Sequence, residues 1–188
     1  MLLQLETYNP KWKIEFEQLR QVFSELLKGI PSTIEHVGST AIPGIIAKPI
    51  LDIDIIPEQK EALPEISNRL DAAGYSSKGE LGIMGRFAFK QTTLLVPLTT
   101  AGRKWMTHHL YVCLSNSLAL KNHLLFRDAL LNNEQLAQIY NQLKRELITE
   151  TAMTREIYNK RKTEFILSVL AGSGLTKDEL AEVMEANK

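Results

Sequence analysis

The chain has 188 residues, 22 basic and 22 acidic side chains, a formal net charge of zero and a single cysteine. That length suits one domain, or one domain with a substantial appendage, and can bury a core without staples. Balanced charge argues against long nucleic acid as a partner, since backbone binders need a broad positive field. Lone Cys113 excludes an internal disulfide and suits a reducing cytoplasm. No apolar run approaches the roughly 20 residues of a membrane helix, and the first residues carry no basic stretch of a signal peptide.

Residues 2–8 read as a short edge strand. Asn9-Pro10 then opens a helix, with Asn as N-cap and Pro at the first helical position, and Trp12, Phe16, Leu19, Phe23, Leu26 and Leu27 form its apolar face. Gly29-Ile30-Pro31 ends it. A strand over 34–37 runs into Gly38-Ser39; residues 41–47 are a loop or short helical turn; residues 49–56 form a second strand, closed by Pro57. A helix over 58–73 buries Leu63, Ile66 and Leu70, Gly74 caps it, and Tyr75 begins another strand. The Gly-rich stretch 78–86 is a turn between strands, with a mobile loop over the cleft as the alternative, and strands follow at 86–90 and 106–114, with 91–104 a hairpin or insertion. In the last strand Leu110 and Val112 point inward, which leaves His109 and Tyr111 on the cleft side.

From Ser117 the pattern is helical only, over 118–131, 133–148 and 154–170, and Thr176 with Glu179 makes a capping box for a final helix. The expected organisation is an α/β domain over 1–116 and a helical region over 117–188 packed on it.

Asp52 and Asp54 lie one residue apart on an apolar strand, so both project to one face while Leu51, Ile53 and Ile55 enter the core. Neighbouring carboxylates repel unless a cation joins them, and Mg²⁺ favours carboxylate and phosphate oxygens. Backbone N–H groups and a hydroxyl at Gly38-Ser39 suit a phosphate. Lys48, between that turn and the aspartates, and Arg86, after two glycines, are candidate partners for the same charge. His36, on the strand before the turn, is either a buried hydrogen-bonded histidine or a ligand contact. Arg127 and Asp128 suit a structural ion pair; Lys144, Tyr158 and Lys160 read as solvated helix-face residues whose charged ends could reach the cleft. His108 and His123 draw no role.

Gly-Ser, twelve residues, then Asp-hydrophobic-Asp-hydrophobic resembles the signature of the DNA polymerase β-like nucleotidyltransferase superfamily. The resemblance narrows through Trp12, the run from Glu35 to Gly44, Ala47-Lys48-Pro49, Asp52, Phe126-Arg127-Asp128, Leu143-Lys144 and Tyr158-x-Lys160, which together look like the GrpB family of bacteria and some fungi. It spans residues 8–170 and leaves the final helix outside. It implies a nucleotidyltransferase-like mixed sheet flanked by helices, with a C-terminal helical bundle. It also implies a nucleoside triphosphate held at Gly38, Ser39 and Thr40, and Mg²⁺ or Mn²⁺ on Asp52 and Asp54.

One position departs from the family: His109-Leu110-Tyr111-Val112 stands where it commonly has His-Leu-His-Val. Neither version supplies the third carboxylate of an ordinary nucleotidyltransferase, and His109 is the candidate for that place, as metal ligand or general base. Two readings follow. One is a metal-dependent enzyme that transfers a nucleotidyl group to a small-molecule acceptor. The other is a non-catalytic module that binds a nucleotide or phosphometabolite. A third arrangement, a transition-metal site from His36, His109 and Asp52, would serve hydrolysis.

Overall fold

Asn9 lies just before the first helix, whose N-cap is Pro10, one position later than expected. In the computed structural model, which describes residues 5–149 and 154–186, the Asn9 Oδ1 accepts the Lys11 N–H at 3.0 Å. The helix, α1 (Lys11–Leu26), buries Trp12, Phe16, Leu19 and Phe23. Of the expected strand over 2–8, the described part makes one antiparallel bridge, Glu6 with Ala47, and residues 1–4 lie outside the described residues.

The later strands form β1 (Ser32–Val37), β2 (Leu51–Pro57), β3 (Tyr75–Gly79), β4 (Arg86–Gln91) and β5 (His108–Cys113). They assemble in the order β1-β2-β5-β4-β3, antiparallel except for the central β2·β5 pair. The expected helix over 58–73 arrives in two pieces, a 3-10 turn Lys60–Ala62 and then α2 (Leu63–Ala72). Pro64 fixes that start: it lacks an N–H and crowds the preceding turn, so it is tolerated only in the first turn of an α-helix.

Each face of the sheet has its own cover. Leu51, Ile53 and Ile55 of β2 and Leu110 and Val112 of β5 are fully buried against α1 and α2. The other face carries Asp52, Asp54, His109, Tyr111 and Cys113, and meets the helical tail: α3 (Leu118–Asn132), α4 (Glu134–Thr149), α5 (Arg155–Gly172) and α6 (Lys177–Ala186). The capping box forms as expected, with the Thr176 N–H on Glu179 Oε2 at 2.8 Å and the Glu179 N–H on Thr176 Oγ1 at 3.2 Å.

The tail has a second apolar cluster, built on Phe126, Leu130, Tyr140 and Leu170. Ile42 and Ile45, from the loop after Ser39, belong to that cluster and not to the sheet's. The turn that precedes the aspartates is therefore anchored by the helices.

Two histidines sit on the α1 side of the sheet. His36 stacks on Phe16 with ring centroids 4.6 Å apart, and its Nε2 donates to Thr40 Oγ1 at 3.0 Å, whose hydroxyl donates on to the Ile50 carbonyl. His108 gives its Nδ1 proton to the Met106 carbonyl at 2.8 Å and takes the Tyr75 hydroxyl proton at Nε2. Burial pulls both down to about 4.

The folded chain refuses protons that the unfolded chain binds, so stability falls as pH drops from about 6.5 toward 4. Near pH 5 the two sites together contribute a slope of up to about 2.7 kcal/mol per pH unit, twice the single-site limit. Urea unfolding of His36→Gln between pH 7 and 4.5 is expected to show about half of that slope removed. An unchanged slope would mean that His36 titrates normally in the fold.

Candidate functional site

Gly38 ends β1 with φ 70°, a left-handed backbone that glycine alone adopts freely. A Cβ built there would lie 2.2 Å from Asp52 Oδ2, so the turn presses directly on the first aspartate. Asp52 is held from the other side by His109, whose Nδ1 donates to Oδ1 at 2.8 Å. The two residues face each other across the parallel β2·β5 pair. That hydrogen bond holds the His109 imidazole above its ordinary pKa, against the opposing effects of burial and of the Lys48 charge.

Ser39, in the 3-10 turn Ser39–Ala41, accepts from Lys144 Nζ at 2.6 Å. Lys144 also donates to the Ile46 carbonyl at 2.8 Å and lies 4.6 Å above the Tyr140 ring. This corrects the sequence expectation. Lys144 is no solvated face residue but is 3 % exposed, and burial, reinforced by the Lys162 charge and opposed by Asp52, lowers its amine to about 6. Lys160 is exposed on α5, and it is Lys162, two residues on, whose charge bears on Lys144. Asn141, one turn before Arg145 on α4, accepts the Ile46 N–H at 2.8 Å and donates to the Gly44 carbonyl at 3.1 Å, fixing the loop between turn and strand.

Asp54 is completely buried. Its Oδ2 accepts from His123 Nδ1 at 2.7 Å, and its Oδ1 has no hydrogen-bond partner of ordinary geometry. An unpartnered carboxylate oxygen away from water is costly, and a cation is what such an atom lacks. On that observation Asp54 fits a divalent ion.

Tyr111, paired with Asp54 across the parallel strands, lies between the His109 and His123 rings, at 6.4 and 6.1 Å. Arg86 covers Tyr111, its guanidinium 4.8 Å from the ring centroid, and burial with the nearby aspartates pushes the phenol up to about 12. Arg127 pins α3 to β1 through Glu35 Oε2 at 2.6 Å and the His36 carbonyl at 3.1 Å, and also pairs with Asp128 at 2.8 Å.

The face thus gathers Gly38, Ser39, Asp52, Asp54, His109, Tyr111, Arg86 and Lys144. Thr40 and His36 turn elsewhere, since the Thr40 hydroxyl is engaged by His36 and the Ile50 carbonyl on the α1 side. His36, His109 and Asp52 accordingly do not form a shared metal site. Among the described residues, the His/Cys/Asp/Glu ligand atoms that do converge are those of Asp54, Cys113 and His123, within 4.8 Å of one another. Sequence reasoning gave His123 no role, though it lies one helical turn before Arg127, on the same stripe of α3. Beside it a cavity of about 280 Å³ is lined by Ile83, Met84, Arg86, Asn122, His123 and Val183, among others. No described helix is long and apolar enough to cross a membrane.

The chain is similar to proteins of known sequence and structure. It is 33% identical over 159 residues to the UPF0157 protein YqkA of Bacillus subtilis, matching 85% of this chain and 43% of that one. With the glutamate-rich protein GrpB of Alkalihalophilus pseudofirmus it shares 30% over 167 residues, 88% of this chain and 92% of that one. A crystal structure of the conserved protein GrpB from Enterococcus faecalis superposes with a TM-score of 0.70 at 27% identity, over 98% of this chain and 100% of the other. A crystal structure of the Cid1 poly(U) polymerase, a mutant bound to MgATP, has a TM-score of 0.56 at 13% identity, over 86% of this chain and 50% of the polymerase. That likeness is one of fold, and the mixed sheet flanked by helices is nucleotidyltransferase-like. The GrpB protein family profile matches residues 3–171, and the chain belongs to that family.

Proposed function

We propose that the chain binds the phosphate end of a nucleoside triphosphate over Gly38 and Ser39 and transfers a nucleotidyl group to a small-molecule acceptor, with residues 117–188 as one wall of the acceptor pocket. The supporting observation is the convergence of Lys144 on Ser39 beside an aspartate held by His109. Asp52 and Asp54 would hold Mg²⁺ or Mn²⁺, which offsets charge at the transferring phosphoryl oxygens when bound. Lys48 and Arg86 add positive charge at the rim. His109, kept basic by Asp52, would take a proton from an acceptor hydroxyl.

Lys144 gives this reading a specific test. With its pKa near 6 the amine is largely neutral at pH 7.5. A phosphate arriving at Ser39 supplies the missing counter-charge and draws the proton back. Calorimetric titration with Mg-nucleotide at pH 7.5 is therefore expected to show proton uptake, read as an enthalpy that changes with the ionisation heat of the buffer. Absence of nucleotide or Mg²⁺ binding would count against the whole reading.

A non-catalytic nucleotide or phosphometabolite binder is the second reading. It is favoured by β5, which places His109 and Tyr111, not a carboxylate, opposite Asp52 and Asp54. Binding without pyrophosphate release across a panel of acceptors would select it.

A further inference from the structure

Asp54, Cys113 and His123 come from three separate elements, β2, β5 and α3, and meet on the tail-facing side of the sheet. The first two are fully buried and the third is largely so, with 22 % of its side chain exposed. A carboxylate oxygen, the Cys113 Sγ and an imidazole nitrogen lie within 4.8 Å of one another. Around a tetrahedral ion with bonds of about 2.0 Å to nitrogen or oxygen and about 2.3 Å to sulfur, ligand atoms sit roughly 3–4 Å apart. Closing the existing set by side-chain adjustment alone is within reach.

A second observation points the same way: Asp54 Oδ1, on a side chain with no exposure, lacks a well-formed hydrogen bond. The neighbouring thiol is only a weak donor, and burial together with the Asp54 charge holds it protonated.

We propose that Asp54, Cys113 and His123 form a binding site for one borderline divalent ion of the Zn²⁺ class. Donor chemistry sets the choice of ion. Thiolate and imidazole suit Zn²⁺ and its transition-metal neighbours, whereas Mg²⁺ takes oxygen ligands and keeps much of its water. Binding moves the imidazole proton of His123 from Nδ1, where Asp54 Oδ2 accepts it, to Nε2 and releases the Cys113 thiol proton to solvent, so carboxylate and thiolate together neutralise the ion. Three protein ligands leave a fourth position for water, and the cavity that His123 lines gives an access path. The inference does not rest on nucleotide binding, because its ligands other than Asp54 play no part in holding the phosphate.

The test uses the full chain, stripped with a chelator and titrated with Co²⁺ as a spectroscopic probe. About one equivalent is expected to bind with a thiolate-to-cobalt charge-transfer band, which Zn²⁺ abolishes and Mg²⁺ in excess does not. Cys113→Ser removes the band, and His123→Ala weakens Co²⁺ binding at least tenfold. Asp52→Asn, which disables the nucleotide reading, leaves the band in place. Saturation by Co²⁺ without the band, a band that survives Cys113→Ser, or no Co²⁺ binding would overturn the inference. The wild-type spectrum decides even if a buried variant fails to fold, and a wild-type band alongside failed nucleotide binding separates this proposal from the one above.

Discussion

In Lys144→Met the rise of stability between pH 7.5 and 8.5 is expected to disappear. The wild-type amine has a folded pKa of about 6 against an ordinary 10.5. Between those values the unfolded chain binds a proton that the folded chain does not. Stability therefore climbs with pH across that window, by up to about 1.4 kcal/mol per unit, and the cost of burying the ammonium is felt in full below pH 6. Methionine fills similar space over the Tyr140 ring and has no charge to bury. It leaves the Ile46 carbonyl without its donor, a penalty of about 1–3 kcal/mol that does not depend on pH. Denaturant unfolding at pH 7.5, 8.0 and 8.5, above the window in which His36 and His108 titrate, should give a rising series for the wild type and a nearly flat one for the variant. Parallel slopes would show that Lys144 stays charged in the fold. The same variant should lose the proton uptake expected on nucleotide binding.

Gly38→Ala is expected to destabilise the chain by about 3 kcal/mol and to release His109. At φ 70° an alanine costs about 1–2 kcal/mol in backbone conformation alone. Its methyl would stand 2.2 Å from Asp52 Oδ2, so the carboxylate must move and its bond to His109 Nδ1 stretches or breaks. Gly44→Ala is the control, because Gly44 has φ 81° and nothing within 4 Å of a Cβ. Equal losses in the two variants would remove the claim that the turn braces Asp52. The second readout is the His109 titration followed by NMR, which should fall toward the ordinary imidazole value in Gly38→Ala and stay raised in Gly44→Ala.

Much of the scaffold could be read from periodicity. The alternation in β2 sends Ile53 and Asp54 to opposite faces, and α1 announces itself through six aromatic and aliphatic residues at helical spacing, from Trp12 to Leu27. Pro64 shows where such reading stops short, since it divides an apparently continuous helix into two pieces. The Gly38-Ser39 turn and the aspartate pair were legible because chemistry and spacing occur within one short segment. Lys144 and His123 were not, because each acquires its meaning from a contact with a residue far along the chain, 105 positions for Lys144 with Ser39 and 69 for His123 with Asp54. A charged side chain on an amphipathic helix looks solvated until the surface that covers it is known. Cys113 drew no site role from the sequence, and its place beside Asp54 follows from the parallel pairing of β2 with β5.

The lone parallel pairing at the centre of the sheet has a temporal consequence. Asp52 and His109 are 57 residues apart, and every intervening strand and helix must be synthesised before they can meet. Closing so long a loop is entropically expensive and rewarded late, so contacts of this kind tend to slow folding. A nascent chain emerging from the ribosome carries its acids well before it carries their imidazoles. During that interval the two carboxylates are without their proton donors and are satisfied by water.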